Sequence, residues 1–175
     1  PDYAFILKEE KQHFETGLKA LNKLTSGKVY VGISQRQPID VKNATSVIFD
    51  GPHPAGNVGI QINHIAPINK GDTVWTMSAL DVLFIGRLFD KGIADFSRIV
   101  AVTGSEIDDP HYVRTRIGAS IASITQGMVK AVEYEQRYIS GNVLTGVKTD
   151  ADGYIGATHS QITVIPEGNN YDEFL

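Results

Sequence analysis

The stretch "SVIFDGPHPAGNVGIQINHIAP", residues 46–67, decides the fold class that the sequence predicts. An apolar run typical of a strand ends at Asp50, and a loop rich in glycine and proline follows it. The run from Gly56 to Ile65 predicts a short helix that Pro67 ends. Strand, loop and helix in this order are the unit from which α/β domains are built. The stretch therefore predicts an α/β domain with this loop at the carboxyl end of a strand.

The elements on either side of this stretch continue the alternation. Apolar residues at helical spacing predict a helix over residues 2–26, and apolar, β-branched runs predict strands over 28–34 and 72–77. A further helix is predicted over 79–91, with Gly92 at its end. Parallel sheets of this class normally open with a strand, whereas this chain opens with a helix. We therefore expect a partial Rossmann-like domain that lacks its first strand.

Local signals mark the helix predicted over 79–91. Ser78, with Asp81 three residues later, resembles a capping box. Glycine within a helix costs about 1 kcal/mol relative to alanine, so Gly86 predicts the close approach of another backbone. Apolar side chains lie on more than one side, which predicts burial on more than one side; they are Leu80, Leu83, Phe84, Ile85, Leu88 and Phe89.

The pattern changes after residue 92, and we expect two domains, over residues 1–95 and 96–175, with the boundary near 92–97. The second domain is predicted to be a small α+β domain with one short helix on four or five strands. Its expected elements are strands over 98–104, 112–118, 137–148 and 154–166 and a helix over 120–129, with Asp152-Gly153 as the turn of a hairpin.

Composition excludes several classes of function. The 175 residues carry a net charge of -4, which gives no electrostatic reason to bind nucleic acid or an anionic membrane. There is no cysteine, so disulfides, thiolate metal sites and cysteine-ligated clusters are excluded. No apolar run approaches the roughly 20 residues that a membrane-spanning helix needs.

The glycine-rich loop is the main candidate site. Gly51, Gly56 and Gly59 give the backbone freedom just before a predicted helix start, where free N–H groups favour anions. Open α/β sheets also bind ligands at this end of their strands. However, the spacing is not that of a dinucleotide loop, and Pro52 and Pro54 remove two N–H donors. A ligand contact and a simple connection both remain open.

Other candidate residues are histidines and arginines. His53 and His64 are eleven residues apart with no third ligand at a metal-like spacing, so no metal site is expected, and His64 is predicted to be a packing residue. Arg114 and Arg116 share one face of a predicted strand and could bind an acidic partner, although a solvated face explains them equally. No catalytic triad or carboxylate pair stands out.

Four motifs occur in an order that resembles one protein family. They are "GPHPAG" at 51–56, "TVWTM" at 73–77, "RTRIGA" at 114–119 and "ISGNVLTG" at 139–146. Together they resemble the A subunit of the bacterial sodium-translocating NADH:quinone oxidoreductase, and the likeness covers most of the chain. The family protein is longer, so the resemblance implies an internal fragment. It also implies the later part of a Rossmann-like domain followed by a β-grasp domain of the soluble-ligand-binding kind.

The resemblance carries expectations about function. The complex of the family passes electrons from NADH to ubiquinone and exports sodium ions. The A subunit is its peripheral member on the cytoplasmic face of the bacterial inner membrane. The resemblance implies that the other subunits, including the membrane subunits, are the partners of this chain. It also implies that NADH, flavins and the iron–sulfur centre lie on those subunits, that this chain holds no cofactor, and that ubiquinone is a candidate ligand.

Three hypotheses follow for the chain itself. The first is a fragment of a redox-complex subunit that is inactive alone, with Gly51, Pro52, His53, Pro54, Gly56, Gly59 and His64 as ligand or subunit contacts. The second is a structural adaptor that docks other redox subunits through Arg114 and Arg116. The third is a stand-alone nucleotide-binding α/β enzyme, which would require a phosphate loop that these residues do not contain.

Overall fold

The computed structural model describes residues 2–169. The chain divides into two compact units, Asp2–Asp95 and the residues from Phe96 onward, and each is described by itself. The last six residues of the expected second domain, 170–175, lie outside the described residues. The α/β class predicted from the sequence is confirmed.

The first unit, here called the α/β unit, is built around a pair of parallel strands in register from Tyr30↔Thr45 to Ser34↔Phe49. No residue of either strand is fully buried. In chain order its elements are α1 (Tyr3–Leu7), α2 (Lys11–Leu24), β1 (Tyr30–Ser34), β2 (Thr45–Phe49), α3 (Val58–Ile65) and α4 (Ala79–Lys91).

The core of the α/β unit lies between helices α2 and α4, which approach so closely that glycine is required at the contact. A Cβ atom at Gly86 would lie 1.6 Å from the carbonyl oxygen of His13, and one at Gly17 would lie 2.1 Å from that of Val82. The close approach predicted at Gly86 is therefore confirmed. Buried apolar side chains surround this contact, and they are Ile6, Leu7, Phe14, Leu18, Leu80, Val82 and Leu83.

A buried arginine on α4 forms hydrogen bonds to residues before α2 and after α4. The Arg87 side chain is 2% exposed and its Nη2 donates to the Glu10 carboxylate at 2.6 Å, while Nη1 donates to the carbonyl of Asp95 at 3.3 Å. A buried charge is tolerated only when it is paired and hydrogen-bonded, and both conditions hold here. Asp90 on α4 also pairs with His13 on α2 at 2.5 Å, and this hydrogen bond lowers the pKa of Asp90.

The predicted ends of α4 are confirmed. The Ser78 hydroxyl accepts from the N–H of Asp81 at 3.2 Å, and Gly92 adopts the left-handed conformation with φ 70°. The burial on more than one side that the apolar pattern predicted for α4 does not extend to its last turn, because Leu88 is 45% and Phe89 67% exposed.

Two predicted elements of the α/β unit are wrong. The helix over residues 2–26 is two helices, because the chain turns at 8–10 and the N–H of Glu10 donates to the carbonyl of Leu7. Residues 72–77 form no strand, although their composition favours one, because a strand needs a hydrogen-bonded neighbour and none of the described residues pairs with them. Trp75 in this segment is 90% exposed.

The second unit, here called the mixed-sheet unit, is a five-stranded sheet in the order β4-β3-β7-β5-β6. Its central strands β3 and β7 are parallel, while the other pairs are antiparallel. This arrangement, with one short helix, agrees with the expected β-grasp fold. Its elements are β3 (Ser97–Thr103), β4 (His111–Arg116), α5 (Ile121–Ile124), β5 (Gln136–Ser140), β6 (Val147–Thr149) and β7 (Gln161–Pro166).

The mixed-sheet unit closes around one apolar core. The two central strands contribute side chains that are almost completely buried, and α5 packs against them. This cluster consists of Val100, Val102, Ile107, Ile121, Ile124, Ile155, Ile162 and Val164. Arg98 is also buried, and its guanidinium donates to the carbonyls of Gly156 and Ala157 at 2.9 and 2.6 Å. Burial lowers the pKa of Arg98.

The hairpin expected at Asp152-Gly153 is wrong. A turn does occur, since the N–H of Gly153 donates to the carbonyl of Asp150 at 3.0 Å. However, β6 before this turn pairs with β5 and not with β7. The segment predicted as one strand over 137–148 is instead a hairpin of β5 and β6. The segment over 154–166 forms a strand only in its last part, β7.

Candidate functional site

The carboxyl ends of β1 and β2, the loop before α3 and Gln61 of α3 line an open cavity of about 270 Å³. This volume is close to the lower end of the range for small-molecule pockets, about 300 Å³. The site has the position at which open α/β sheets bind ligands, beyond the carboxyl ends of parallel strands. Its lining residues are Gly32, Ile33, Ser34, Arg36, Phe49, Asp50, Gly51, Ala55, Gly56 and Gln61.

The register of the two strands explains why these residues meet. Ser34 pairs with Phe49 in the last step of the parallel ladder, so the residues that follow each strand emerge side by side. Gly51 then turns the chain with φ 129°, a conformation that favours glycine. The chain next enters α3, where the side chain of Asn57 makes no capping hydrogen bond to the first turn. The residues just before α3, Ala55 and Gly56, line the cavity.

The chemistry of the cavity suits binding better than catalysis. Arg36 is its basic residue and Asp50 its acidic one, and Phe49 and Ile33 add apolar surface. The N–H of Arg36 donates to the Ser34 hydroxyl at 3.2 Å, but the lining contains no histidine that could act as its base. A few polar groups around an apolar wall can fix the orientation of a small ligand.

The structure brings only part of the predicted loop to the cavity. Gly51 and Gly56 line it, while the other five predicted contacts do not; these are Pro52, His53, Pro54, Gly59 and His64. All seven are exposed, and the His53–Pro54 peptide bond is cis.

His64 lies on α3 beside the cavity residue Phe49. Its Nδ1 lies 2.8 Å from the carbonyl of Ile60, and its ring meets that of Phe49 edge to face with centroids 6.4 Å apart. His64 was expected to be a partly buried packing residue: the ring contact agrees with packing, but the expected burial is wrong because the side chain is exposed.

Sequence reasoning missed Ser34, Arg36, Phe49, Asp50 and Gln61. The first four end or follow the two strands, so the rule that ligands bind beyond the carboxyl ends of parallel strands could have found them. Gln61 could not have been found in this way, because it reaches the site from the second turn of α3. Its amide lies against Gly32, where a Cβ atom would come within 2.3 Å of Oε1.

The two predicted partner-binding arginines lie in the other unit. Arg114 and Arg116 are on β4, an edge strand of the five-stranded sheet, and both are exposed. They pair with Ile99 and Ser97 of β3 in the antiparallel register. An edge strand leaves backbone groups open to another chain, so this position is compatible with a docking role.

Among residues 2–169, no three histidine, aspartate or glutamate side chains come together in a way that could hold a metal ion. Within the same range, no helix has both the length and the apolar composition needed to cross a membrane.

The chain thus combines a small α/β unit that carries a candidate binding cavity with a β-grasp sheet. Comparison with known families agrees with this class. Residues 1–94 match the family model described as the NqrA second alpha/beta domain, and residues 99–151 match the one described as the NQRA C-terminal domain. The chain belongs to the NqrA family.

Curated relatives are similar along almost the whole chain. The A subunit of the Na(+)-translocating NADH-quinone reductase of Neisseria meningitidis serogroup B is 39% identical over 99% of this chain. The corresponding protein of Yersinia pseudotuberculosis serotype O:1b is 40% identical over 99%, and that of Saccharophagus degradans is 38% identical over 97%. The chain spans only 39%, 39% and 38% of the length of these relatives, respectively.

Proposed function

We propose that this chain is the middle part of the NqrA component of a sodium-translocating NADH-quinone reductase. In this role it contributes to electron transfer from NADH to ubiquinone, coupled to sodium export, as one component of the enzyme. The observation that carries the proposal is the match of two NqrA domain models to consecutive parts of the chain. The relatives that bear the name of this enzyme, about 39% identical to the chain, support it.

The chain would contribute through assembly and ligand contact. The cavity lining offers no nucleophile with an adjacent base. By analogy with the NqrA family, we assign NADH, the flavins and the iron–sulfur centre to other subunits, and the chain to the cytoplasmic face of the membrane as a peripheral component. The isolated chain is expected to show no NADH:quinone turnover in a spectrophotometric assay of NADH oxidation. Measurable turnover by the purified chain would contradict the proposal.

The ligand proposed for the cavity is the quinone head group. This group is a flat ring with two carbonyl oxygens, and the site offers an apolar wall from Phe49 and Ile33 and hydrogen-bond donors from Arg36. Hydrogen bonds to the two oxygens with ring contact between them would orient it. Of the predicted loop residues, Gly51 and Gly56 would be direct contacts, and the remaining five would contact other subunits.

A quinone titration tests this site residue by residue. Short-chain ubiquinone is added to the isotope-labelled chain, and amide shifts are expected to cluster on Ile33, Phe49 and Gly51. The Gly56→Leu variant should remove these shifts because its side chain enters the cavity. The matched control is Gly59→Leu, since a Cβ atom meets nothing within 4 Å at either glycine but only Gly56 lines the cavity. Scattered shifts, or equal effects of both variants, would exclude a quinone site here.

A second candidate function is docking of another component of the enzyme through β4. The observation in its favour is that Arg114 and Arg116 are exposed on an edge strand, where a partner can add both charge pairs and strand pairing. Arg114→Glu with Arg116→Glu should reduce co-purification with the other subunits while leaving the circular dichroism spectrum unchanged. Lys19→Glu with Lys70→Glu changes the net charge equally at exposed positions and should have no effect. Equal retention of both double variants would exclude this docking site.

A further inference from the structure

The loop between β5 and β6 presents apolar side chains to solvent. Val143 is 60% exposed and Leu144 is 90% exposed, and Val147, the first residue of β6, is 61% exposed. Scattered exposed apolar residues are normal on protein surfaces, but three within five positions on one hairpin form a concentrated apolar surface. We call Asn142–Gly146 with Val147 the β5–β6 loop.

The β5–β6 loop is held in one conformation by its own hydrogen bonds. The Asn142 side-chain oxygen accepts from the N–H groups of Leu144 and Thr145 at 2.8 and 3.0 Å. The N–H of Gly146 donates to the carbonyl of Asn142 at 2.8 Å. A Cβ atom at Gly146 would lie 2.4 Å from that same carbonyl oxygen, so the tight closure of the loop requires glycine. The apolar side chains are therefore carried by a preorganised loop, which reduces the entropy that binding would lose.

The fold of the mixed-sheet unit does not account for this exposure. The core of the unit is closed, and Val100, Ile121 and Ile162 are completely buried in it. The α/β unit differs, because its sheet has two strands with no fully buried residue, and exposed apolar side chains there can be explained by this small sheet. The apolar side chains of the β5–β6 loop are therefore available to a partner outside their own core.

The charge pattern around the loop indicates the chemistry of that partner. No residue between Arg137 and Lys148 is charged, and those two flanking residues both pair with Glu167. Depletion of charge is typical of the core of a protein–protein interface. Loops that bind anionic lipid surfaces use lysine or arginine beside the apolar residues, whereas the basic residues that flank this loop, Arg137 and Lys148, are both paired with Glu167. The pattern favours a protein over a membrane surface.

We propose that the β5–β6 loop inserts Val143 and Leu144 into an uncharged apolar pocket on another component of the complex. The proposal rests on the proposed function, because it requires the chain to work within a multisubunit assembly. Leu144 is the central contact, and Asn142 acts as a positioning residue that holds the loop in its binding conformation.

The test uses membranes that carry the other subunits of a sodium-translocating NADH-quinone reductase but lack its NqrA component. The tagged 175-residue chain is added, and the retained fraction is measured over a concentration series. Leu144→Ser is expected to weaken retention about tenfold or more, as for a central interface residue. Asn142→Ala keeps both apolar side chains but loses the loop hydrogen bonds, and it should weaken retention by a smaller factor. Leu24→Ser, at a position 79% exposed on α2, is the matched control and should be retained like the parent chain.

Each outcome decides the proposal. Equal retention of Leu144→Ser and the parent chain would show that the loop is not a contact, while leaving the proposed function intact. No retention of the parent chain would contradict the proposed function and this inference together. Vesicles of phosphatidylcholine and phosphatidylserine without protein provide the third arm. If they bind the parent chain but not Leu144→Ser, the loop contacts lipid, and the proposed protein pocket is wrong.

Discussion

The two units of this chain bury apolar surface in different ways. In the α/β unit the buried side chains belong to helices, and no residue of β1 or β2 is fully buried. In the mixed-sheet unit the central strands supply the core, with Val100, Ile162 and Val164 at 0% exposure. Parallel strands are normally covered on both faces. The two strands of the α/β unit are only partly covered, and the cavity lies at their carboxyl ends. One unit therefore has a sheet with buried central strands, and the other has strands that remain accessible.

The largest effect is expected from Ile162→Ala in the mixed-sheet unit. Ile162 is completely buried in β7, between its ladder partners on β3 and β5, and truncation would leave a cavity in the core. The free energy of unfolding should fall by about 4 kcal/mol, measured by hydrogen exchange of amides 97–103. Val147→Ala at a 61% exposed position is the control and should change stability by about 0.5 kcal/mol or less. A small effect at Ile162 would mean that the sheet is not the core of this unit.

Gly86→Ala should have the next largest effect, in the α/β unit. The added methyl group would lie 1.6 Å from the carbonyl oxygen of His13, so α2 and α4 would have to separate. Overpacking of this kind destabilises by about 3 kcal/mol, measured by hydrogen exchange of the α2 and α4 amides. Gly59→Ala, on α3 where a Cβ atom meets nothing within 4 Å, is the matched control and should not reduce stability. Equal effects of the two variants would contradict a core made by this helix pair.

A smaller effect, dependent on pH, is expected at Glu167. Hydrogen bonds from Arg137 and then Lys148 lower the pKa of Glu167 from 4.5 to about 2. Because the folded-state pKa is the lower one, the stabilisation is present above pH 4.5 and is lost as pH falls toward 2. Glu167→Gln should therefore unfold at a lower temperature than the parent chain at about pH 7, and the difference should vanish near pH 2. An unchanged difference across this range would show that the ion pairs do not stabilise the mixed-sheet unit.

The smallest effect is expected from Phe89→Ser on α4. Its side chain is 67% exposed although its spacing predicted burial, so its removal should change the free energy of unfolding by about 0.5 kcal/mol or less. Chemical denaturation provides the measurement, with Leu83→Ser at a 1% exposed position of the same helix as the contrast. A large loss at Phe89 would mean that the helix is buried on that side as well.

Sequence reasoning succeeds where the cause of a structure is local. The ends of α4 are predicted from Ser78 and Gly92. The close helix contact is predicted from Gly86, because a glycine within a helix is unfavourable unless another backbone approaches it. The position of the glycine loop after β2 is also predicted correctly, because Gly51 needs its positive φ at that turn.

It fails where the cause is distant in sequence. Residues 72–77 have strand-forming composition, but pairing depends on a neighbour that their own sequence does not describe. The chain turns before Glu10, whose carboxylate meets Arg87 77 residues later. The cavity residues were missed for the same reason, because Arg36 and Asp50 meet only through the register of two strands.

Trp75 is the sole tryptophan of the chain and is 90% exposed on a segment that pairs with no described strand. Its indole is therefore an intrinsic optical probe, and all tryptophan emission can be assigned to one position. An indole in water emits at longer wavelength than one in an apolar contact. Binding of another protein over Trp75 should shift the emission to shorter wavelength. Assembly can then be followed in real time without a label.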